Sequence, residues 1–324
     1  MAERLLEVTD LKMYFPVLSG GLIPRKVRDT KAVDGVSFAV DRGETFGLVG
    51  ESGSGKTTVG LCLLQLYRPT GGQVVFQGQD LCKLRGEELR QTRRHMQVIF
   101  QDPYGSLNPR MNAADTITEP LRIHRLMPRE EFGRRVDEIL ALVGLDPRMA
   151  RRYPHEFSAG ERQRLGIARA LAVGAEFIVC DEPVSSLDVC VQAQILNLLQ
   201  DLQTRLHLTY LFIAHDLAVV GYVASHVAVM YRGRFVETGT RAQIYDDPRH
   251  PYTRSLLEAI PIPDREVELK RKRTPVADAR VASVPPEGCS FRSLCLEADE
   301  TCQEGPPVLE EVEPGHRVAC WRAQ

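Results

Sequence analysis

The chain lacks any apolar run long enough to cross a bilayer, which takes about 20 residues. The nearest, Ala218–Tyr231, is short and includes Ser225 and His226. Met1–Asp10 is charged and lacks the apolar stretch of a signal peptide. Charge of one sign is lacking too: 41 Lys and Arg stand against 43 Asp and Glu, a net charge of −2. That balance removes any strong electrostatic case for nucleic acid or an anionic membrane as partner. Sustained heptads are absent, which excludes a long coiled-coil arm. These absences give the expectation of a protein soluble by itself and cytoplasmic.

What is present is ordinary for a globular chain: 43% hydrophobic and 26% charged residues. A length of 324 residues buries a full core and predicts one large domain plus something smaller, or two domains. There are eight cysteines. Cys62, Cys82, Cys180 and Cys190 are scattered through apparent core elements and read as small buried hydrophobes. The other four lie near the end of the chain.

The most informative stretch joins an apolar strand, Thr45–Val49, to a helical run, Lys56–Leu66. Between them, Gly50-x-x-x-x-Gly55-Lys56-Thr57 fits the phosphate-binding P-loop. Glycines let backbone amides wrap a polyphosphate, and the following helix start adds partial positive charge. Gly50, Ser52, Gly53, Ser54, Gly55, Lys56, Thr57 and Thr58 are therefore candidate nucleotide-binding residues. Lys56 has the reach for the β- and γ-phosphates, and the Thr57 hydroxyl suits Mg²⁺. Alone, the loop indicates only a nucleoside triphosphate.

Other strand ends add matching chemistry. Leu5–Val8, Ala32–Val40, Gln73–Phe76, Gln97–Phe100, Phe177–Pro183 and Thr209–Ala214 read as strands. Ser19–Thr30 reads as a Gly-rich basic loop. Tyr14 and Phe15 precede the P-loop; an adenine-stacking aromatic and a partly exposed core aromatic both fit them. Gln101 follows an apolar strand, where a polar side chain meets ligands in an open α/β sheet. Asp181 and Glu182 end a fully apolar strand and suit Mg²⁺ binding and water activation, respectively. His215 stands at a further strand end.

Tyr104–Val173 is helical in pattern, with a stripe at Phe132, Val136, Ile139, Leu140 and Val143. Ser158 with Glu161 three residues on reads equally as a capping box ahead of the helix Leu165–Val173. A further helix is expected at Val189–Leu206, and a hairpin at Val227–Tyr231 and Arg234–Thr238. Short helices are expected at Arg241–Tyr245 and Tyr252–Ala259, then a proline-containing linker, Pro261–Glu287, with a solvated basic run at Lys270–Arg273.

Taken in order, Gly50–Thr58, Gln101, Ser158–Gln163, Asp181-Glu182, Ser186-Leu187-Asp188 and His215 strongly resemble the ATP-binding subunit of an ABC transporter. Gln101–Arg110, His250-Pro251-Tyr252-Thr253 and the four-cysteine tail look like the oligopeptide/dipeptide importer branch, which also includes subunits for nickel and other small solutes. The resemblance implies an α/β P-loop NTPase fold with a RecA-like core, an antiparallel β subdomain and a helical subdomain at about 102–175. It implies a nucleotide-binding domain over 1–262 and a small Cys-rich metal-binding extension over 263–324.

The resemblance also assigns roles. Phe15 or Tyr14 would stack on adenine, Thr57 and Gln101 would bind Mg²⁺, and Asp181 would support the metal through water. Glu182 would be the general base and His215 would contact the γ-phosphate. Ser158, Ala159, Gly160 and Glu161 would reach ATP held by a partner subunit, with Asp188 in the loop between the two. The family implies a paired ATPase, two transmembrane permease subunits contacted through Tyr104–Pro109, and indirectly an extracytoplasmic peptide-binding protein. It places the chain peripherally on the cytoplasmic face of the plasma membrane, with no nucleic-acid partner.

The family signature usually reads Leu-Ser-Gly-Gly-Gln, whereas Phe157-Ser158-Ala159-Gly160-Glu161 stands here. Ala159 adds a methyl, and Glu161 a negative charge, toward an anionic site. A weaker site in the partner, and hence a heterodimer, is expected. Cys289, Cys295, Cys302 and Cys320 suit a metal, and their spacing resembles the iron–sulfur tail of peptide-importer ATPases. A [4Fe–4S] cluster is the expectation there, with Zn²⁺ as the alternative. A soluble ABC ATPase acting on DNA or ribosomes, and a P-loop kinase or GTPase, are the competing readings.

Overall fold

The computed structural model describes residues 3–19, 26–260 and 288–323; the expected linker at Pro261–Glu287 lies outside them. Among the described residues the elements run β1 (Arg4–Leu18), β2 (Lys26–Asp41), β3 (Thr45–Val49), α1 (Lys56–Leu63), β4 (Gly71–Phe76), β5 (Gln79–Asp80), α2 (Gly86–Arg94) and β6 (Met96–Ile99). Then come α3 (Ala113–His124), α4 (Phe132–Leu142), α5 (Ala159–Leu171), β7 (Phe177–Asp181), α6 (Val189–Leu206), β8 (Thr209–Ala214) and α7 (Leu217–Val223). The chain continues with β9 (His226–Tyr231), β10 (Arg234–Thr240), α8 (Arg241–Asp246), α9 (Pro251–Glu258), β11 (Glu310–Glu313) and β12 (His316–Val318).

Two sheets form. The larger runs β11-β12-β10-β9-β3-β8-β7-β6. Its centre, from β6 through β7, β8 and β3 to β9, is parallel. Parallel strands covered on both faces need apolar residues at successive positions, and Phe177–Cys180 supplies them. Ile178 and Cys180 join one core with the helices α3, α4 and α5. Phe177 and Val179 face the other way, into a core shared with β1, β2, β4 and α1. The smaller sheet, β2-β1-β4-β5, is antiparallel and covers that second face. The P-loop NTPase fold with mixed sheets and a helical region is thus as expected.

The β1–β2 pair is longer than the sequence suggested. Residues 26–30 lie in β2, and Tyr14, Phe15 and Pro16 pair with Lys31, Thr30 and Asp29. The polar, basic composition of this arm hid the strand. α2 also lacks an apolar stripe and buries none of its residues. One helix start was legible: Ser158 and Glu161 form the full capping box expected on α5, while Asn112 caps α3 and Asp188 caps α6.

The last 36 described residues differ from the metal-binding module expected. Among the described residues no group of three or more His, Cys, Asp or Glu could hold a metal ion. The [4Fe–4S] and Zn²⁺ expectations for Cys289, Cys295, Cys302 and Cys320 are overturned. Burial raises the thiol pKa at Cys289, Cys295 and Cys320. Cys302 is buried, with its Sγ 3.6 Å from Asp299 Oδ1.

The segment holds by other means. β11 and β12 extend the main sheet beyond β10, pairing Val318 with Glu237 and Arg317 with Thr238. Phe291 and Leu294 enter the core, each burial contributing on the order of 1.5–3 kcal/mol. Of the other cysteines, Cys62 and Cys180 are buried as expected, Cys82 is half-buried and Cys190 is exposed, a correction for the last.

Candidate active site

Four neighbouring strands of the parallel centre end on one side, and each delivers one part of the site. β3 leads into the P-loop, β6 to Gln101, β7 to Asp181 and Glu182, and β8 to His215. They enclose a cleft of about 600 Å³ lined by Ala32, Glu51, Ser52, Gly53, Gly55, Lys56, Thr57, Thr58, Gln101, Glu182 and His215. A crevice outside the carboxyl ends of parallel strands is where α/β sheets bind ligands.

The P-loop is seated from below as well as open above. A Cβ on Gly50 would lie 2.1 Å from the Met230 carbonyl oxygen. One on Gly55, whose φ is +108°, would lie 2.1 Å from the Ala32 carbonyl oxygen. These two glycines therefore serve close packing on β9 and β2, in addition to any phosphate. Gly233 donates its N–H to the Ser54 carbonyl at 2.8 Å. The Glu51 N–H is directed to the Tyr252 hydroxyl at 3.0 Å.

Lys56 is buried, and its Nζ donates to the Gly50 and Glu51 carbonyls at 2.7 and 2.9 Å. Burial lowers its pKa, while Glu182, Asp181 and Glu51 pull the other way. Among the described residues the ammonium thus has no direct carboxylate partner and sits over the loop, ready for an anion. Ser54 Oγ is buried, has no hydrogen-bond partner among the described residues and is not part of the cleft lining. Thr57 Oγ1 donates to Asp181 Oδ1 at 2.9 Å. Asp181 is raised, first by burial and also by Glu182, against the Thr57 bond and the Lys56 charge.

Glu182 adopts φ +46°, a left-handed backbone that non-glycine residues rarely take. Its Oε2 accepts from Gln101 Nε2 at 3.1 Å and lies 3.0 Å from His215 Nδ1. Three strand ends therefore converge on one carboxylate oxygen. The Glu182 side chain is 13% exposed and that of His215 54%, so the pair stands at the mouth of the cleft.

The aromatics behave differently. Tyr14 donates its hydroxyl to Asp34 and lies under Lys31 Nζ, 5.4 Å from the ring centroid. Phe15 packs edge-on against Tyr67 at 5.5 Å. Neither lines the cleft. Ser158, Ala159, Gly160 and Glu161 also stand away from it, at the start of α5. Glu161 Oε2 accepts from the Ser158 N–H at 2.8 Å, and a Cβ on Gly160 would lie 2.6 Å from Val191 Cγ1. Asp188 Oδ1 accepts from the Val191 N–H at 3.0 Å.

Sequence reading missed Ala32, Glu51 and the Tyr252 hydroxyl. His250-Pro251-Tyr252-Thr253 was visible as a motif, but nothing local ties it to the P-loop. It also missed that Arg162, beside the signature, lies over the Tyr104 ring at 5.7 Å.

Residues 33–185 match the ABC transporter family, and residues 236–302 match the oligopeptide/dipeptide transporter C-terminal region. The oligopeptide transport ATP-binding protein AppF of Bacillus subtilis is 48% identical over 320 residues, covering 98% of this chain and 97% of the relative. This chain belongs to the ABC transporter ATP-binding subunits of the oligopeptide/dipeptide importer family.

A further relative and two solved structures agree. The oligopeptide transport ATP-binding protein OppF of Salmonella typhimurium is 46% identical over 320 residues, 98% of this chain and 95% of the relative. A dimeric ATP-binding cassette in a post-hydrolysis state, bound to ADP and Pi, superposes with TM-score 0.64 at 26% identity, over 73% of this chain and 99% of that one. CbiO1 from Clostridium perfringens, part of an ABC transporter complex, shares the fold with TM-score 0.65 at 24% identity, over 76% of this chain and 92% of that one. Membership in this family makes the subunit an ATPase, with ATP and Mg²⁺ as its expected substrate and cofactor and membrane permeases as its partners. No helix among the described residues is long and apolar enough to cross a membrane.

Proposed function

We propose that this ATPase drives a membrane importer of dipeptides or oligopeptides, working as one half of a two-cassette sandwich on the cytoplasmic face. The observation that carries the reading is the convergence of Gln101 and His215 on Glu182 Oε2, at 3.1 and 3.0 Å, over a P-loop cleft. The names of the relatives, oligopeptide transport ATP-binding proteins, favour peptide cargo over nickel. We take residues 1–262 as the nucleotide-binding domain, with its helical part at about 102–175, and 263–324 as the extension.

In this reading Lys56 leaves the Gly50 and Glu51 carbonyls for the β- and γ-phosphates. The amides of Ser52, Gly53, Ser54, Gly55 and Thr58 would complete the cradle. Thr57, Gln101 and Asp181 would hold Mg²⁺, which when bound neutralises charge across the β- and γ-phosphates. Glu182 accepts the proton of the attacking water, a role worth about 10²–10⁴-fold in general-base catalysis. His215 fixes Glu182 and faces the γ-phosphate. Phe15 remains the aromatic assigned to adenine, since Lys31 Nζ lies over the Tyr14 ring.

Ser158, Ala159, Gly160 and Glu161 would complete the partner's site, with Asp188 between the two. The exposed placement of Ser158 and Ala159, outside this chain's own cleft, supports that division. The dimeric post-hydrolysis cassette supports pairing, and the non-consensus Ala159 and Glu161 favour a non-identical partner. Tyr104–Pro109 would meet the permeases. A peptide-binding protein would act on them from the far side.

The test is purification from membranes, identification of partner chains, and uptake of labelled peptides or nickel by the reconstituted complex. Peptide uptake that requires ATP and stops with Glu182→Gln supports the reading. Purification without permeases, or nickel uptake alone, overturns it.

A further inference from the structure

The Tyr252 hydroxyl accepts the Glu51 N–H at 3.0 Å across 201 residues of sequence. Glu51 is the first residue after Gly50, where the P-loop begins its turn. Tyr252 is 1% exposed, at the start of α9. Its ring lies between Tyr231, 4.8 Å away, and Phe291 of the C-terminal segment, 5.3 Å away. Phe291 also touches Tyr231 at 5.4 Å and His250 at 5.8 Å.

The start of α9 is fixed just as closely. His250 Nδ1 accepts from the Tyr252 N–H at 3.0 Å. Burial, with Arg254 beside it, lowers the His250 pKa to about 3, so this cap stays neutral. Glu237, fully buried on β10, accepts from the Arg249 and His250 N–H groups at 2.7 and 3.0 Å. His316 Nε2, on β12, lies 2.8 Å from the same carboxylate. The C-terminal segment thus touches α9 through Phe291 and reaches its N-cap indirectly, through His316 and Glu237, and α9 holds one P-loop amide.

We infer that Tyr252 is a positioning residue for the nucleotide site, and that the C-terminal segment sets its position through Phe291. The Glu51 amide is withdrawn from the phosphates and used as an anchor, which fixes the loop's entry before nucleotide arrives. A preformed loop spends less of its binding free energy on ordering. The inference rests on the P-loop cleft being the ATP site.

The test uses the full chain, a fluorescent ATP analogue for affinity and the assembled complex for turnover. Tyr252→Phe keeps the ring and removes only the hydrogen bond. The analogue's Kd and the KM for ATP should rise about threefold to tenfold, the range of one net hydrogen bond, while kcat stays within about twofold. Phe291→Leu should shift both in the same direction, and the double variant should add little to the larger single effect. A purely structural role would lower thermal stability and leave KM unmoved. Unchanged Kd in Tyr252→Phe, with normal binding by the parent chain, overturns the inference alone. Absence of analogue binding by the parent chain overturns the ATP-site reading and the inference together. Should Tyr252→Phe fail to fold, Phe291→Leu decides: an unchanged KM there removes the link to the C-terminal segment.

Discussion

His215 Nδ1 stands 3.0 Å from Glu182 Oε2, and this contact joins the ends of β8 and β7 over the P-loop. Gln101 reaches the same oxygen from β6 at 3.1 Å. One carboxylate at a strained φ of +46° is therefore held by two neighbours. Strain maintained in this way marks a residue whose direction matters more than its local comfort.

Replacing Glu182 by Gln keeps the size of the side chain and removes its basicity. Phosphate release should fall by at least about 100-fold. ATP should still bind, and the paired state should accumulate on gel filtration. Continued full turnover would take Glu182 out of its role.

The signature departs from its family at Ala159 and Glu161. Glu161 accepts the Ser158 N–H at 2.8 Å, and Gln serves equally at that position of a capping box. Ala159→Gly with Glu161→Gln should therefore leave the fold intact and raise turnover at the partner's site. Measuring phosphate release in a Glu182→Gln background isolates that site. No change in rate there rejects the weaker-site idea.

Glu237 and His316 are both fully buried, 2.8 Å apart. Glu237→Ala removes one partner and strands His316 with the Arg249 and His250 N–H groups. A loss of about 3 kcal/mol or more is expected, each buried group left unpaired costing about 1–3 kcal/mol, read from urea unfolding of the full chain. A loss below about 1 kcal/mol would mean that β12 does not depend on this contact.

His226 accounts for a pH dependence. Its hydrogen bond to Glu44 raises its pKa, against the opposing effect of burial. The folded value lies above the unfolded one, so the pair's stabilisation is complete below about pH 6.5 and fades as pH rises through the folded value. His226→Gln should lose most in Tm, relative to the parent chain, at the acid end of a series from about pH 6 to 8.5. A gap that widens with rising pH would reverse the assignment.

Much of this was legible in order. The P-loop, the apolar strand ending at Asp181 and the cap at Ser158 declare themselves because each is set by neighbours within a few residues. The long β1–β2 arm did not, since its polar face carries no apolar alternation. The C-terminal segment was misread: four thiols in a poorly apolar stretch suggested a metal, while Phe291, Leu294 and strand addition hold it.

The sequence by itself determined which residues stand at strand ends and what chemistry they offer, because spacing and strand polarity put them there. Only the tertiary structure decided that Gln101 and His215 share one oxygen of Glu182, that Tyr14 belongs to Asp34, and that Tyr252 holds the Glu51 amide. Those contacts join residues tens to hundreds of positions apart, and no local pattern carries the distance between them.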